Sequence, residues 1–325
     1  MKRSAFLRSA TRLGLTALVT STFDAAATQR FPSGPVTLIC PYGPGTGIDI
    51  VARIISQKLS ESWAQPVVVK NQPGASGAIG AAAAAAAVPD GTTLLIMANS
   101  HLINQHVAKN VVDAMQAFTP VAPAGKVPYL LTVSNSLPVR TVGELVALAR
   151  SQPGALHYSG IHGSVPHLLG VTLASAGKID LRFVAYKSTT DAMTDAVSGR
   201  VPIWFTTVAT AAPLIQAGKI RALAVTSSRR SELLPDVPTT AQAGYPALNL
   251  GAAFYFMAPA QTPRPIVEQL NRDIASVLTT SEVLRKLAEQ GAEADSSSPA
   301  ELARLLREEN VRWAEIVRIS GIAAQ

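Results

Sequence analysis

PYGPGTGIDIVAR, Pro41 to Arg53, is a strand-to-helix turn built on three glycines. Before it, Val36 to Cys40 is an apolar run that reads as a buried strand. After it, Ile48, Val51, Ile54, Ile55 and Leu59 recur at helical spacing. A loop of this kind carries unpaired backbone N–H groups at a helix start, where the helix dipole favours negative charge. The local chemistry is that of an anion-binding turn.

The neighbouring sequence repeats the pattern. Pro66 to Asn71 is a β-branched run, Pro73-Gly74-Ala75-Ser76-Gly77 a second glycine turn, and Ala78 to Val88 a second helix closed by Pro89 and Asp90-Gly91. Thr92 to Ala98 is a third strand, ending in Asn99-Ser100-His101. Strands alternating with helices imply a parallel sheet, which takes ligands at the carboxyl ends of its strands. The register changes around Gly125 to Pro128, and a second alternation starts at Tyr129. Its strands are Tyr129 to Ser134, Leu156 to Ser159, Leu181 to Tyr186, Val201 to Thr206 and Arg221 to Thr226. Its helices are Val142 to Arg150, with Thr141 and Glu144 at capping-box spacing, a helix through Ala176 closed by Gly177, Ala192 to Ser198, and Ala209 to Ala217. Ser228 to Tyr245 is a return loop. Strand Ala252 to Ala258 and three closing helices, opening at Ile266, Glu282 and Ala300, go back to the first unit. The expectation is an α/β protein of two domains, residues 28–127 plus 250–325 and residues 128–249, each a mixed, mostly parallel sheet flanked by helices, with a hinge between.

The 325 residues are 48% apolar and 15% charged, with a net charge of +7. The basic residues are scattered, without an aromatic-interleaved stripe, so nucleic acid is not an expected partner. Residues 1–27 have the form of a signal peptide: Lys2, Arg3, Arg8 and Arg12, then a short apolar segment, then Ala25-Ala26-Ala27. Export of a protein without a membrane span follows. The single cysteine, Cys40, excludes an internal disulfide and reads as a small buried apolar residue.

Seven stretches carry a resemblance: PYGPGTGIDIVAR (41–53), VVVKNQPGASGAIG (67–80), PDGTTLL (89–95), HGSVPHLLG (162–170), YKSTTDAMTDAVSGRV (186–201), AGKIRALAVTSSRRSELLPDVPTTAQAG (217–244) and MAPAQTP (257–263). In this order they resemble the periplasmic solute receptors of tripartite tricarboxylate transporters, the Bug-type receptors. The resemblance covers everything after the leader. It implies a two-domain periplasmic-binding-protein fold of type II-like form, closing over a small carboxylate (a di- or tricarboxylate, amino acid or aromatic acid) and delivering it to a membrane permease. No cofactor and no metal is expected, and the protein is expected to be a monomer. The chain departs from the family at Gly43-Pro44-Gly45, at His162, at Val171 and at Thr206-Thr207, all bordering the expected pocket.

The candidate ligand residues follow from the turns. Gly45, Thr46 and Gly47 form the first, and Ala75 and Ser76 lie in the second. Ser159, His162, Gly163 and Ser164 end a strand of the second unit and lead into its helix. Tyr42, Ser100 and Thr207 end strands on the same edge and offer hydroxyls. Asp49 lies three residues after Thr46, a capping-box spacing that assigns it to the helix start; a ligand amino or hydroxyl group would give it a direct role instead. Ser164 and His167 repeat that arrangement, Ser164 reading as an N-cap. His162 and His167 are five apart and do not share a helix face as metal ligands would. Lys187 is the candidate counter-charge, with a solvated lysine as the alternative.

Enzyme readings fail on spacing. Gly43, Gly45 and Gly47 give GxGxG rather than the dinucleotide pattern GxGxxG, and the next strand ends in Lys70-Asn71 where an acidic residue is needed for ribose. Ser76 lacks the glycine framing of a hydrolase elbow. A ligand sensor feeding a signalling protein is the alternative to a transport receptor, with a secreted serine hydrolase as the more remote one.

Overall fold

The computed structural model describes residues 31–108, 111–186 and 189–321. The signal-peptide segment 1–27 and Lys187 lie outside the described residues. In chain order the first elements are β1 (Val36–Cys40), α1 (Gly47–Trp63), β2 (Val67–Asn71), a 3-10 turn (Ala75–Gly77), α2 (Ala78–Ala85), β3 (Thr93–Ala98), α3 (Ser100–Val107), α4 (Ala114–Ala117) and β4 (Phe118–Ser134). There follow α5 (Val142–Ser151), β5 (Leu156–Gly160), α6 (Val165–Gly177), β6 (Leu181–Ala185), α7 (Thr189–Ser198), β7 (Ile203–Thr207), α8 (Val208–Gln216) and β8 (Ile220–Val225). The last are β9 (Gly251–Pro259), α9 (Arg264–Leu278), α10 (Ser281–Glu289) and α11 (Pro299–Ser320).

Among the described residues nine strands pair in the order β2-β1-β3-β9-β4-β7-β5-β6, with β8 on β4. β1 is parallel to β2 and β3, and β5 is parallel to β6 and β7. β9 and β4 run antiparallel to their neighbours and join the two parallel sets. This is the mixed, helix-flanked α/β architecture of a type II periplasmic binding protein. The loops leaving β1, β3, β5 and β7 carry the site.

α1 shows how sequence becomes packing here. Ile48, Val51, Ala52, Ile55 and Leu59 are buried along one stripe, in a cluster with Leu38, Cys40 and Leu94 of the strands. The helix stops at Ala64, in the left-handed region at φ 51°. Pro66 follows two residues on and prevents continuation. Cys40 is buried and free.

α5 has the expected Thr141 cap, with Glu144 reaching one residue further back than a capping box requires. Thr141 Oγ1 accepts from Glu144 N at 3.1 Å, while the Glu144 carboxylate reaches back to Arg140 N at 2.6 Å. Thr141→Ala is expected to lower stability by about 1 kcal/mol in chemical denaturation, with ligand binding unchanged.

Three expectations are corrected. The strand expected to begin at Tyr129 begins at Phe118: β4 is 17 residues long and pairs with β9 over Phe118–Pro128 before taking β7 and β8. Pro120, Pro123, Gly125 and Pro128 hide it, because proline donates no ladder bond; the sheet accommodates them with register shifts at Pro120/Ala122 and Pro123/Gly125. Asn99-Ser100-His101 does not end in a loop but opens α3, whose buried set includes His101 and Asn104 beside Leu102, Ile103 and Val107. Polar residues on the inner face removed the apolar stripe that marks a helix. α6 closes through Lys178 at φ 50°, not through Gly177.

Candidate functional site

The ends of β1, β3, β5 and β7 face two adjoining cavities of about 500 Å³ and 430 Å³. Both are bordered by Thr46, Gly47, Val127, Tyr129, Ile161, Ser164 and Thr207, so they form one cleft. Gly45, Ile50, Trp204, Thr206, Thr210 and Gln290 extend it on one side. Tyr42, Ile48, Ser100, Asn104, His162, Gly163 and Phe254 extend it on the other. Among the described lining residues none is Lys, Arg, Asp or Glu. The walls are therefore apolar side chains, hydroxyls, amides, the His162 imidazole and main chain.

The β1–α1 loop is held by a network that joins the local pair Asp49 and Arg53 to Asn71 of β2. Asp49 is 2% exposed and accepts from Gly45 N at 2.9 Å, Arg53 Nε at 3.0 Å and Asn71 Nδ2 at 2.8 Å. Arg53 Nη2 donates to Asn71 Oδ1 at 2.8 Å, and Asn71 Nδ2 also reaches Tyr42 O at 3.0 Å. Burial alone would raise the Asp49 carboxyl, but the donors Arg53, Asn71 and Gly45 together hold it below the usual carboxylate range. Asp49 thus sits one layer behind the cleft and shapes its loop.

The capping-box reading of Thr46 is corrected. Its hydroxyl makes no cap bond and instead donates to Gly43 O at 2.8 Å, leaving the first-turn N–H groups of α1 unclaimed by the cap side chain. Ser164 stands at the N-cap position of α6 as expected, but its hydroxyl makes no cap bond and donates to Ile161 O at 2.6 Å. Thr207 does cap its helix, accepting from Thr210 N at 3.4 Å.

Of the residues singled out in the sequence, Tyr42, Gly45, Thr46, Gly47, Ser100, His162, Gly163, Ser164 and Thr207 border the cleft. Tyr42 Oη and Ser100 Oγ are 2.6 Å apart. Burial pushes the Tyr42 hydroxyl up, partly offset by the Ser100 bond, and it is neutral at ordinary pH. Asp49, Ser159 and His167 do not border the cleft. Ser159 is fully buried, its Oγ without a hydrogen-bond partner among the described residues. His167 is 5% exposed, stacks on Phe183 at 3.7 Å and accepts from Gly163 N through Nδ1 at 3.2 Å. Of the second glycine turn, Gly74, Ala75 and Gly77 border neither cavity, and the side chain of Ser76 lies outside the described residues. The turn backs the aromatic wall: a Cβ on Gly77 would lie 2.7 Å from His101 Nε2 and 3.3 Å from Tyr42 Oη.

Sequence reasoning missed Val127, Tyr129, Ala252 and Phe254, which form the cleft floor on the paired strands β4 and β9. It also missed Asn104, which the unrecognised helix α3 brings in. Behind β4 a smaller cavity of about 250 Å³ is bordered by Lys126, Glu293, Glu309, Arg312 and Trp313. Its charges have partners: Lys126 Nζ lies 2.7 Å from Asp295 Oδ2, and Glu309 accepts from Tyr255 Oη at 2.7 Å.

Comparison with known proteins agrees with this geometry. The family model described as tripartite tricarboxylate transporter family receptor matches residues 51–322. A Pseudomonas protein encoded between tcbD and tcbE is 35% identical over 304 residues, covering 93% of this chain and 90% of the relative. BugT of Bordetella pertussis is 32% identical over 297 residues, covering 90% of this chain and 91% of the relative. Among solved structures, an R. palustris protein with adipate has a TM-score of 0.79 at 35% identity, covering 91% of this chain and all (100%) of that one. MatC from Rhodopseudomonas palustris with bound malate has a TM-score of 0.74 at 31% identity, covering 88% and 100%. The chain belongs to the tripartite tricarboxylate transporter receptor family.

Proposed function

We propose that this periplasmic receptor binds a small carboxylate in the cleft between the two halves of its sheet, gripping it through neutral donors, and delivers it to membrane permease subunits. The observation that carries the reading is the combination of helix starts at the cleft with the absence of any charged residue among its described lining residues. The first-turn N–H groups of α1 that the Thr46 hydroxyl leaves free offer donors to an anion. Each hydrogen bond to a charged group contributes about 1.5 to 3 kcal/mol net. Four or five of them, less the costs of ordering, support binding of roughly micromolar affinity, near −8 kcal/mol. Ile48, Val127, Ile161 and Phe254 give the carbon body of the acid an apolar bed. The adipate and malate held by the two R. palustris proteins are acids of this class. On this reading residues 28–127 with 250–325 and residues 128–249 act as two lobes that close on the ligand. The family is one of receptors, and the reading assigns no chemical turnover.

A thermal-shift panel of adipate, malate and other small acids beside their neutral amides tests it. An acid at about 100 times its dissociation constant stabilises by about 2.7 kcal/mol, a rise of several degrees in Tm. A panel in which the amides shift Tm as much as the acids, or in which no acid does, overturns the reading.

A further inference from the structure

The two loops flanking the cleft are built on one template with different side chains. In each, a glycine in the left-handed region, Gly45 at φ 79° and Gly163 at φ 71°, precedes an extended cap residue. The caps have closely similar backbones, Thr46 at φ −73°, ψ 156° and Ser164 at φ −82°, ψ 164°. In each, the cap hydroxyl donates to the carbonyl three residues back, Thr46 to Gly43 O and Ser164 to Ile161 O. In each, the side chain three residues after the cap accepts the N–H of the glycine: Asp49 Oδ2 from Gly45 N at 2.9 Å, His167 Nδ1 from Gly163 N at 3.2 Å.

The chemistry of the two acceptors differs. Asp49 is an anion that needs Arg53 and Asn71 beside it. His167 accepts only as a neutral ring with its proton on Nε2, since a protonated imidazole has no lone pair. Phe183 stacks on the ring at 12° between planes, and Tyr158 and His162 are the titratable groups whose rings face it, at 6.3 Å and 5.3 Å between centroids. A neutral acceptor fixes the loop without setting a negative charge against an incoming anion.

We propose that His167 is a positioning residue: its Nδ1 lone pair holds the Gly163 amide, and with it the cleft loop Ile161–Ser164, in the shape that receives the ligand, as Asp49 does for the opposite loop. The effect on binding rests on the reading of the cleft as the ligand site; the lock on Gly163 does not.

Two variants separate the acceptor from the ring. His167→Phe keeps an aromatic ring on Phe183 and removes the acceptor. His167→Asn loses the ring and places an amide oxygen where Nδ1 stood. In the ligand-free protein, hydrogen exchange at the Gly163 amide is expected to quicken about tenfold in His167→Phe and to return to within about threefold of the parent in His167→Asn. Calorimetric Kd values for adipate and malate are expected to follow the same order, about tenfold weaker and then restored. Unchanged Gly163 exchange in His167→Phe, or no rescue by asparagine in a folded protein, overturns the proposal. Long-range proton–nitrogen spectra of the parent chain decide it without any variant, since a His167 ring carrying its proton on Nδ1 could not accept from Gly163. If no acid of the panel binds the parent chain, the carboxylate reading falls while the exchange arm still judges the lock.

Discussion

Gly45→Val is expected to weaken carboxylate binding by about 100-fold or more. Gly45 stands at φ 79°, where a β-branched residue is a conformational outlier costing about 1 to 3 kcal/mol, so the loop will leave this conformation rather than hold it. No atom lies within 4 Å of a Cβ built at Gly45, so the loss comes from the backbone and not from a clash. When the loop moves, the Gly45 N–H leaves Asp49, and the free amides at the start of α1 lose their common aim. A hundredfold loss corresponds to about 2.8 kcal/mol. Calorimetry with adipate measures it, and Gly43→Ala supplies the control. Gly43 has no positive φ and nothing within 4 Å of its Cβ, so that variant should bind as the parent does. Equal losses in both variants would show that bulk at the loop, not its backbone shape, is what matters.

Stability is expected to fall steeply between pH 6.5 and pH 4. Burial, with His162 adding to it, pushes His167 down to about 4 from an ordinary 6.5. Between those values the unfolded chain binds a proton that the folded chain refuses, so stability is complete above pH 6.5 and declines as pH drops toward 4. The loss is about 3 kcal/mol at the acid end of the window. His101, also lowered by burial, acts in the same direction. Asp49 works in a separate window: its folded carboxyl is held low, so its contribution persists through this range and is lost only below the usual carboxylate values. Urea midpoints at pH 7 and pH 4.5 test the expectation, and His167→Phe should show the smaller drop. A parent chain equally stable at both would mean that the buried imidazoles protonate without penalty.

How much of this was legible depended on distance along the chain. The β1–α1 turn was readable because its strand, glycines and amphipathic helix lie within thirty residues of one another and obey local periodicities. The Asp49–Arg53–Asn71 network was half readable. Asp49 and Arg53 sit at i, i+4 spacing, but Asn71 enters only because β2 pairs beside β1, with Cys40 opposite Asn71. Thr46 and Ser164 do hold the N-cap positions, but the bond each hydroxyl makes was not legible: a cap hydroxyl can accept from its helix or donate to the preceding loop, and spacing does not distinguish them. The cleft floor at Val127, Tyr129 and Phe254 was illegible because prolines masked β4 and because a floor made by paired strands far apart in sequence has no local signature. Lys187 and the side chain of Ser76 lie outside the described residues.

β4 has one more implication. Its first eleven residues, Phe118–Pro128, are zipped to β9 and its last ones to β7 and β8, so a single peptide is the backbone of both halves of the sheet. Severing the chain at Pro128 would part β9 from both of its partners, β3 and the first stretch of β4, while β7 and β8 kept theirs, and the bared edges are the kind that recruit other molecules and precipitate. Neither half can be lifted out whole, and a chimera that exchanges one of them must keep the shared strand intact.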